Sequence, residues 1–172
     1  PGANQLTVRR NTGGLYRVFT VIAPGKTFSF KGLTITGGLL NGTGIGSGIY
    51  LEGIGATITF ENCVISNNIA ANFGGGMRIA SGVTAIISGS TFSGNRSTAA
   101  ISGSQGTGGA IDNSGTLIIT NSTFSGNVVD AGNSNGGAIW SNGPSLCSIA
   151  PLPTTVLREP VPPEVSIREG TP

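Results

Sequence analysis

One motif recurs four times along this chain with a period that drifts, and that combination leaves few folds open. FSFKGLTITGG ends at Gly38, ITFENCVISNN at Asn68, AIISGSTFSGN at Asn95 and LIITNSTFSGN at Asn127, giving steps of 30, 27 and 32 residues. A fixed internal order with a variable period marks a solenoid whose insertions collect in one loop. The copies differ most after the final Asn, where they read IAANF, RSTAAISGSQGT and VVDAGNSN, so the loop is placed there.

Apolar residues alternate within each copy. Phe28, Ile58, Ala85 and Leu117 share one column, and Phe30, Phe60, Ile87 and Ile119 a second. Ile35, Ile65, Phe92 and Phe124 form a third, and Ile49, Met77, Ile111 and Ile139 a fourth, just after the glycines. A period of two means strands with one buried face. The runs suit three strands of roughly 3–5 residues per coil, with like strands paired in parallel about 4.8 Å apart. Parallel pairing needs a crossover. No segment has a helical period, so the coil itself must supply it. The fold expected is therefore all-β, a parallel β-helix or β-solenoid of about four coils.

The Asn residues fit the same stack. Asn62 and Asn121 (Gly32 and Gly89 in the other copies) fall at one bend, and Asn68, Asn95 and Asn127 at another. Asn tolerates left-handed backbone, and its amide can bond its equivalent one coil away. Cys63 shares a column with Leu33, Ser90 and Ser122 and reads as a small packed side chain rather than half of a disulfide framework.

The repeat region is taken as residues 1–143, and residues 144–172 as a Pro-rich irregular tail or an out-of-register end. Seven of the nine prolines fall in that tail, and proline cannot donate to a ladder. The chain opens on Pro1 with no leader and shows no amphipathic helix to cap the core, which reads as a piece of a longer protein.

Composition narrows function by exclusion. With a net charge of +2 and nine basic residues spread along 172, no footprint for nucleic acid or anionic membrane stands out. No apolar run approaches the roughly 18 residues of a spanning helix, so direct membrane insertion by this segment is not expected. There is no His, which excludes His-based triads and His metal sites. Glu52, Glu61, Asp112 and Asp130 never share a column in neighbouring coils, whereas glycoside hydrolysis calls for paired carboxylates. Neither catalytic residues nor a metal or cofactor site is expected, and the chain is read as non-enzymatic.

One column invites a recognition role. Tyr50, Arg78, Asp112 and Trp140 directly follow the fourth-column residues Ile49, Met77, Ile111 and Ile139, at positions expected to face outward. Two rings to stack on sugar faces and two charged groups to bond hydroxyls would make a glycan strip. As plain surface, Arg78 and Asp112 would form an exposed pair contributing about 0–1 kcal/mol. The plain reading is preferred. A second outward set, Thr34/Thr36, Val64/Ser66, Thr91/Ser93 and Thr123/Ser125, forms a hydroxyl face of the kind that suits ice, although Thr is also a good exposed strand residue.

The signatures GGAI (Gly108–Ile111 and Gly136–Ile139) and FxxN (Phe92–Asn95 and Phe124–Asn127) resemble repeats of the chlamydial polymorphic outer-membrane proteins and of right-handed parallel β-helix surface proteins of bacteria. The resemblance implies a right-handed coil, an extracellular or cell-surface setting, and an adhesive role toward glycans or a host partner. Its competitor is a fragment of a polysaccharide lyase or hydrolase whose catalytic coils lie elsewhere.

Overall fold

A computed structural model describes residues 6–11, 13–98, 106–130 and 135–148. All of its regular structure is β, and every paired strand runs parallel to its neighbours. Three sheets have five strands each and a fourth has three, so about four coils are stacked.

The long-strand sheet contains Thr27–Lys31, Thr57–Glu61, Thr84–Ser88, Thr116–Thr120 and Ser145–Ser148. The hydroxyl sheet contains Leu6–Arg9, Leu33–Thr36, Val64–Ser66, Thr91–Ser93 and Thr123–Ser125. The glycine-flanked sheet contains Phe19–Ile22, Ile49–Glu52, Met77–Ile79, Ile111–Asn113 and Ile139–Ser141. The registers pair Ile58 with Ala85 and Ala85 with Leu117, Ile65 with Phe92, and Met77 with Ile111, so the apolar columns of the sequence become rows inside the stack. Most of their members have no exposed surface at all, each contributing about 1.5–3 kcal/mol. Phe30 stacks on Phe60, and Phe92 on Phe124, with centroids 5.0 Å apart in each pair. At the first level of the stack cover is thinner: Phe28 is 47% exposed where its partner Ile58 is 0%.

The coil has a fourth side that three strands per turn did not anticipate. Ile69–Ala70, Arg96–Ser97 and Val128–Val129 pair directly after the ladder Asn, where the sequence pattern suggested loop. The corner before them is locked from inside. Asn68 and Asn95 each donate through Nδ2 to the next Asn Oδ1 at 3.0 Å, and their backbone nitrogens donate to the same oxygens. Each Nδ2 also reaches a carbonyl of the coil before, Ile35 or Ile65, and Asn127 does the same to Phe92. All of these side-chain amides find partners within the stack, as buried polar groups require.

The left-handed backbone sits one residue earlier than expected, at Gly37, Asn67, Gly94 and Gly126 rather than at Asn68, Asn95 and Asn127. At the other bend Asn62 and Asn121 do have positive φ, as do Gly32 and Gly89. The serines continue the ladder logic: Cys63 N donates to Ser90 Oγ at 3.0 Å, and Ser90 N to Ser122 Oγ at 3.2 Å.

Across the interior, the glycine motif faces the two-residue strands at van der Waals contact. A Cβ at Gly109 would lie 2.6 Å from both the nitrogen and the oxygen of Val128. Only a hydrogen fits there, and a Cβ at Gly75 would likewise lie 2.5 Å from Arg96 N, which explains the second glycine in these two coils, while Ser47 takes the same place one coil earlier.

Pairing does not stop at Gly143 as expected. Ser145, Leu146 and Cys147 align with Leu117, Ile118 and Ile119, and the Pro144 carbonyl accepts a bond from Leu117 N at 2.9 Å. Proline is tolerated at a strand start because it still accepts. The expectation of an irregular tail is therefore corrected for residues 144–148. Its remainder, 149–172, lies outside the described residues.

Candidate functional site

The glycine-flanked sheet brings the four candidate residues into one row. Tyr50 pairs in register with Arg78, Arg78 with Asp112, and Asp112 with Trp140, with Thr20 completing the row beyond Tyr50. The column is real, but its members do not share one environment.

Asp112 is not on the surface. It is 1% exposed, and the expected exposed ion pair is corrected to a buried one. Arg78 Nη1 pairs with Asp112 Oδ1, and the Thr107 hydroxyl donates to Asp112 Oδ2. Arg78 Nη2 donates to Ser114 Oγ at 2.9 Å, and the guanidinium lies 5.9 Å from the Phe73 ring centroid. Its side chain is 19% exposed. Burial lowers the Arg78 guanidinium from its ordinary value, while the nearby Tyr50 phenol raises it.

The cover over Asp112 comes from the turn before the glycines. Phe73, Thr107 and Asn135 bridge one another in parallel, each standing immediately before the first glycine of its coil. Thr107 itself is 4% exposed, so its hydroxyl is aimed at the carboxylate with water excluded. A short polar side chain held there turns a surface position into an interior one.

Tyr50 is half-buried, and one face of its ring is already occupied. The Arg17 guanidinium stands 4.9 Å from the ring centroid. Arg17 is fixed by its own bonds, through Nε to Gly46 O, Nη2 to Ile45 O and Nη1 to Thr20 Oγ1. Burial lowers its guanidinium too, with Tyr50 again opposing. Trp140, half-buried, lies on the last strand of this sheet among the described residues.

Chemically, then, Arg17, Arg78 and Asp112 fasten loops to the sheet, and the row reaches solvent at exposed Thr20 and at half-buried Tyr50 and Trp140. The other described ion pairs lie apart from it: Lys31–Glu61 at 2.8 Å on the long-strand sheet, and Arg96 of the two-residue sheet with Asp130, just past that sheet's Val128–Val129.

The hydroxyl sheet aligns Thr7, Thr34, Val64, Thr91 and Thr123 in one outward row and Thr36, Ser66, Ser93 and Ser125 in the next. Val64 interrupts the first row, and Ser66 in the second is buried enough to bond Thr36 Oγ1 at 3.3 Å.

The profile of a protein family described as right handed beta helix region matches residues 21–147. The chain belongs to that family. The match covers the repeat from the first apolar strand of the glycine-flanked sheet to Cys147, past the boundary drawn at Gly143. No curated protein and no solved structure matches the chain.

Sequence reasoning missed Arg17, Phe73, Thr107 and Ser114. For Phe73 and Thr107 a signal existed, since both occupy the position preceding the first glycine, as Asn135 does. Arg17 and Ser114 had none, because each acts through a side chain that reaches sideways from outside a strand.

Proposed function

We propose that this β-helix is a rigid, non-enzymatic display segment of a secreted or cell-surface bacterial protein, holding loops along one edge and offering carbohydrate an aromatic contact around Trp140. The observation that carries this reading is the fate of the charged residues in the candidate row. Arg78 and Asp112 neutralise each other under Thr107, and Arg17 lies on Tyr50. A row whose charges are consumed by the fold suits a scaffold better than a reaction centre.

Two of the other carboxylates point the same way, and Glu52, exposed on the glycine-flanked sheet, has no carboxylate in register with it, since its paired residue is Ile22. Glycosidic cleavage uses two carboxyl groups about 5–9.5 Å apart across a bound sugar. Glu61 is engaged by Lys31 and Asp130 by Arg96, on different sides of the coil. A stiff rod also gains from in-register stacking, since every coil braces the next.

A glycan array probed with the intact chain and with Trp140→Ala and Tyr50→Ala tests the proposal. Binding that Trp140→Ala abolishes and Tyr50→Ala only weakens supports the carbohydrate contact. Binding that neither change affects removes the row as its seat, and no binding leaves the scaffold alone. Release of unsaturated or reducing sugars from any polysaccharide on the array would overturn the non-enzymatic reading.

A further inference from the structure

Asn followed by Gly occurs at Asn41–Gly42, Asn135–Gly136 and Asn142–Gly143. In an unfolded chain the three are chemically alike, since glycine has no Cβ to block attack by its own nitrogen on the preceding side-chain amide. The fold separates them.

Asn135 is held in the bridge column. Its nitrogen donates to Gly106 O at 3.3 Å, and its carbonyl accepts from Gly108 N at 3.2 Å. A Cβ at Gly136 would lie 2.2 Å from Ile139 O, so this peptide is pressed against its own next turn. Asn142 N donates to Asn113 O at 3.1 Å, and the Gly143 carbonyl accepts from Ser141 Oγ at 2.8 Å. A Cβ at Gly143 would lie 2.0 Å from Gly115 O, so that peptide is pinned to the coil before.

Asn41–Gly42 is different. Asn142 is exposed as Asn41 is, but its glycine is half-buried against Gly115, whereas Gly42 and Thr43 are exposed too and a Cβ at Gly42 would meet nothing within 4 Å. Two bonds tie the turn, from Gly44 N to Asn41 O at 3.0 Å and from Asn72 Nδ2 to Gly42 O at 3.5 Å.

We propose that Asn41 is a site of spontaneous succinimide chemistry, and that the stack protects Asn135 and Asn142 from the same reaction. The Gly42 nitrogen gives up its proton and bonds to Asn41 Cγ. The Cγ–Nδ2 bond breaks, and ammonia leaves. Water then opens the ring at either carbonyl, yielding aspartate or isoaspartate. Only water is consumed. The product places a carboxylate on the loop edge beside Asn72, whose nitrogen bonds Gly44 O at 3.0 Å, and the isoaspartyl form lengthens that loop by a methylene.

The test is a time course of the intact chain in mildly alkaline buffer, read by peptide mass mapping and isoaspartate-specific carboxyl methylation. The folded chain accumulates modified Asn41 while the Asn135 and Asn142 peptides stay unmodified. In denaturant the three converge on similar rates. Gly42→Ala, shown to fold by circular dichroism, loses the Asn41 product. Equal rates at the three sites in the folded chain, or Asn135 or Asn142 reacting ahead of Asn41, would overturn the proposal. So would a preference for Asn41 that persists in denaturant, because selectivity would then owe nothing to the fold.

Discussion

Removing either partner of the Arg78–Asp112 pair destabilises the chain, and the two removals are unequal. Arg78→Met leaves a carboxylate that is 1% exposed with the Thr107 hydroxyl as its remaining named partner. An uncompensated buried charge of that kind costs about 3–5 kcal/mol. Asp112→Asn keeps the shape and an acceptor for Thr107. It leaves a guanidinium whose side chain is 19% exposed and still bonded to Ser114, which can turn toward water. Losing a charged hydrogen bond there costs about 1.5–3 kcal/mol. Arg78→Met should therefore lie about 1–2 kcal/mol below Asp112→Asn. The double variant should be less destabilised than the sum of the two, because no lone charge remains. Urea unfolding followed by circular dichroism measures all four corners, with an unchanged slope showing that the unfolded states are comparable. If both single changes fall within about 0.5 kcal/mol of the parent and simply add, the pair behaves as exposed surface and the burial argument is wrong.

Three further outcomes follow from the stack. Asn95→Ala strips the partner from Asn68 N and a donor from the Ile65 carbonyl, two buried groups at about 1–3 kcal/mol each, so its urea midpoint should fall far more than that of Asn62→Gly at the exposed bend. Gly109→Ala forces a methyl to 2.3 Å from Gly137 O and should lower expression and melting temperature sharply, whereas Gly126→Ala, whose Cβ meets its first neighbour at 4.0 Å, should show only the modest strain of its positive φ. Alkylation should reach Cys147, which is exposed, and spare Cys63, whose thiol burial pushes up from its ordinary value. A raised folded value means the thiol's stabilising contribution is full below the unfolded value and is lost as pH climbs through the folded one. Cys63 labelling in the native state should therefore appear only on the alkaline side, together with a drop in urea midpoint.

The apolar columns were legible in the sequence because alternation survives drift: Ile58, Ala85 and Leu117 differ in size but share a face. The Asn ladder was legible for the same reason. What could not be read was depth beneath neighbouring coils. Asp112 alternates correctly for an outward residue and is nevertheless buried, because Thr107 and Arg78 close over it from other parts of the chain. The inward row Leu51–Ile79–Asn113–Ser141 likewise turns polar partway, satisfied by Asn113 Nδ2 donating to Ser141 Oγ at 2.9 Å, a switch that a hydrophobic pattern cannot announce. The fourth side was hidden by length, since two residues give no period. Pro144 misled because its missing donor was weighed and its carbonyl was not.

The central claim is that the shared residues of the repeat exist to lock coil onto coil, and the side-chain amides of Asn68 and Asn95 test it most directly. Isotope-edited NMR should find their Nδ2 protons long protected from solvent exchange and close in space to Asn95 and Asn127 respectively. The amides of Asn62 and Asn67, on the exposed bends, should exchange at once. Exchange of the ladder amides at the rate of the exposed pair, with no contact across coils, would contradict the in-register stack on which the whole account stands.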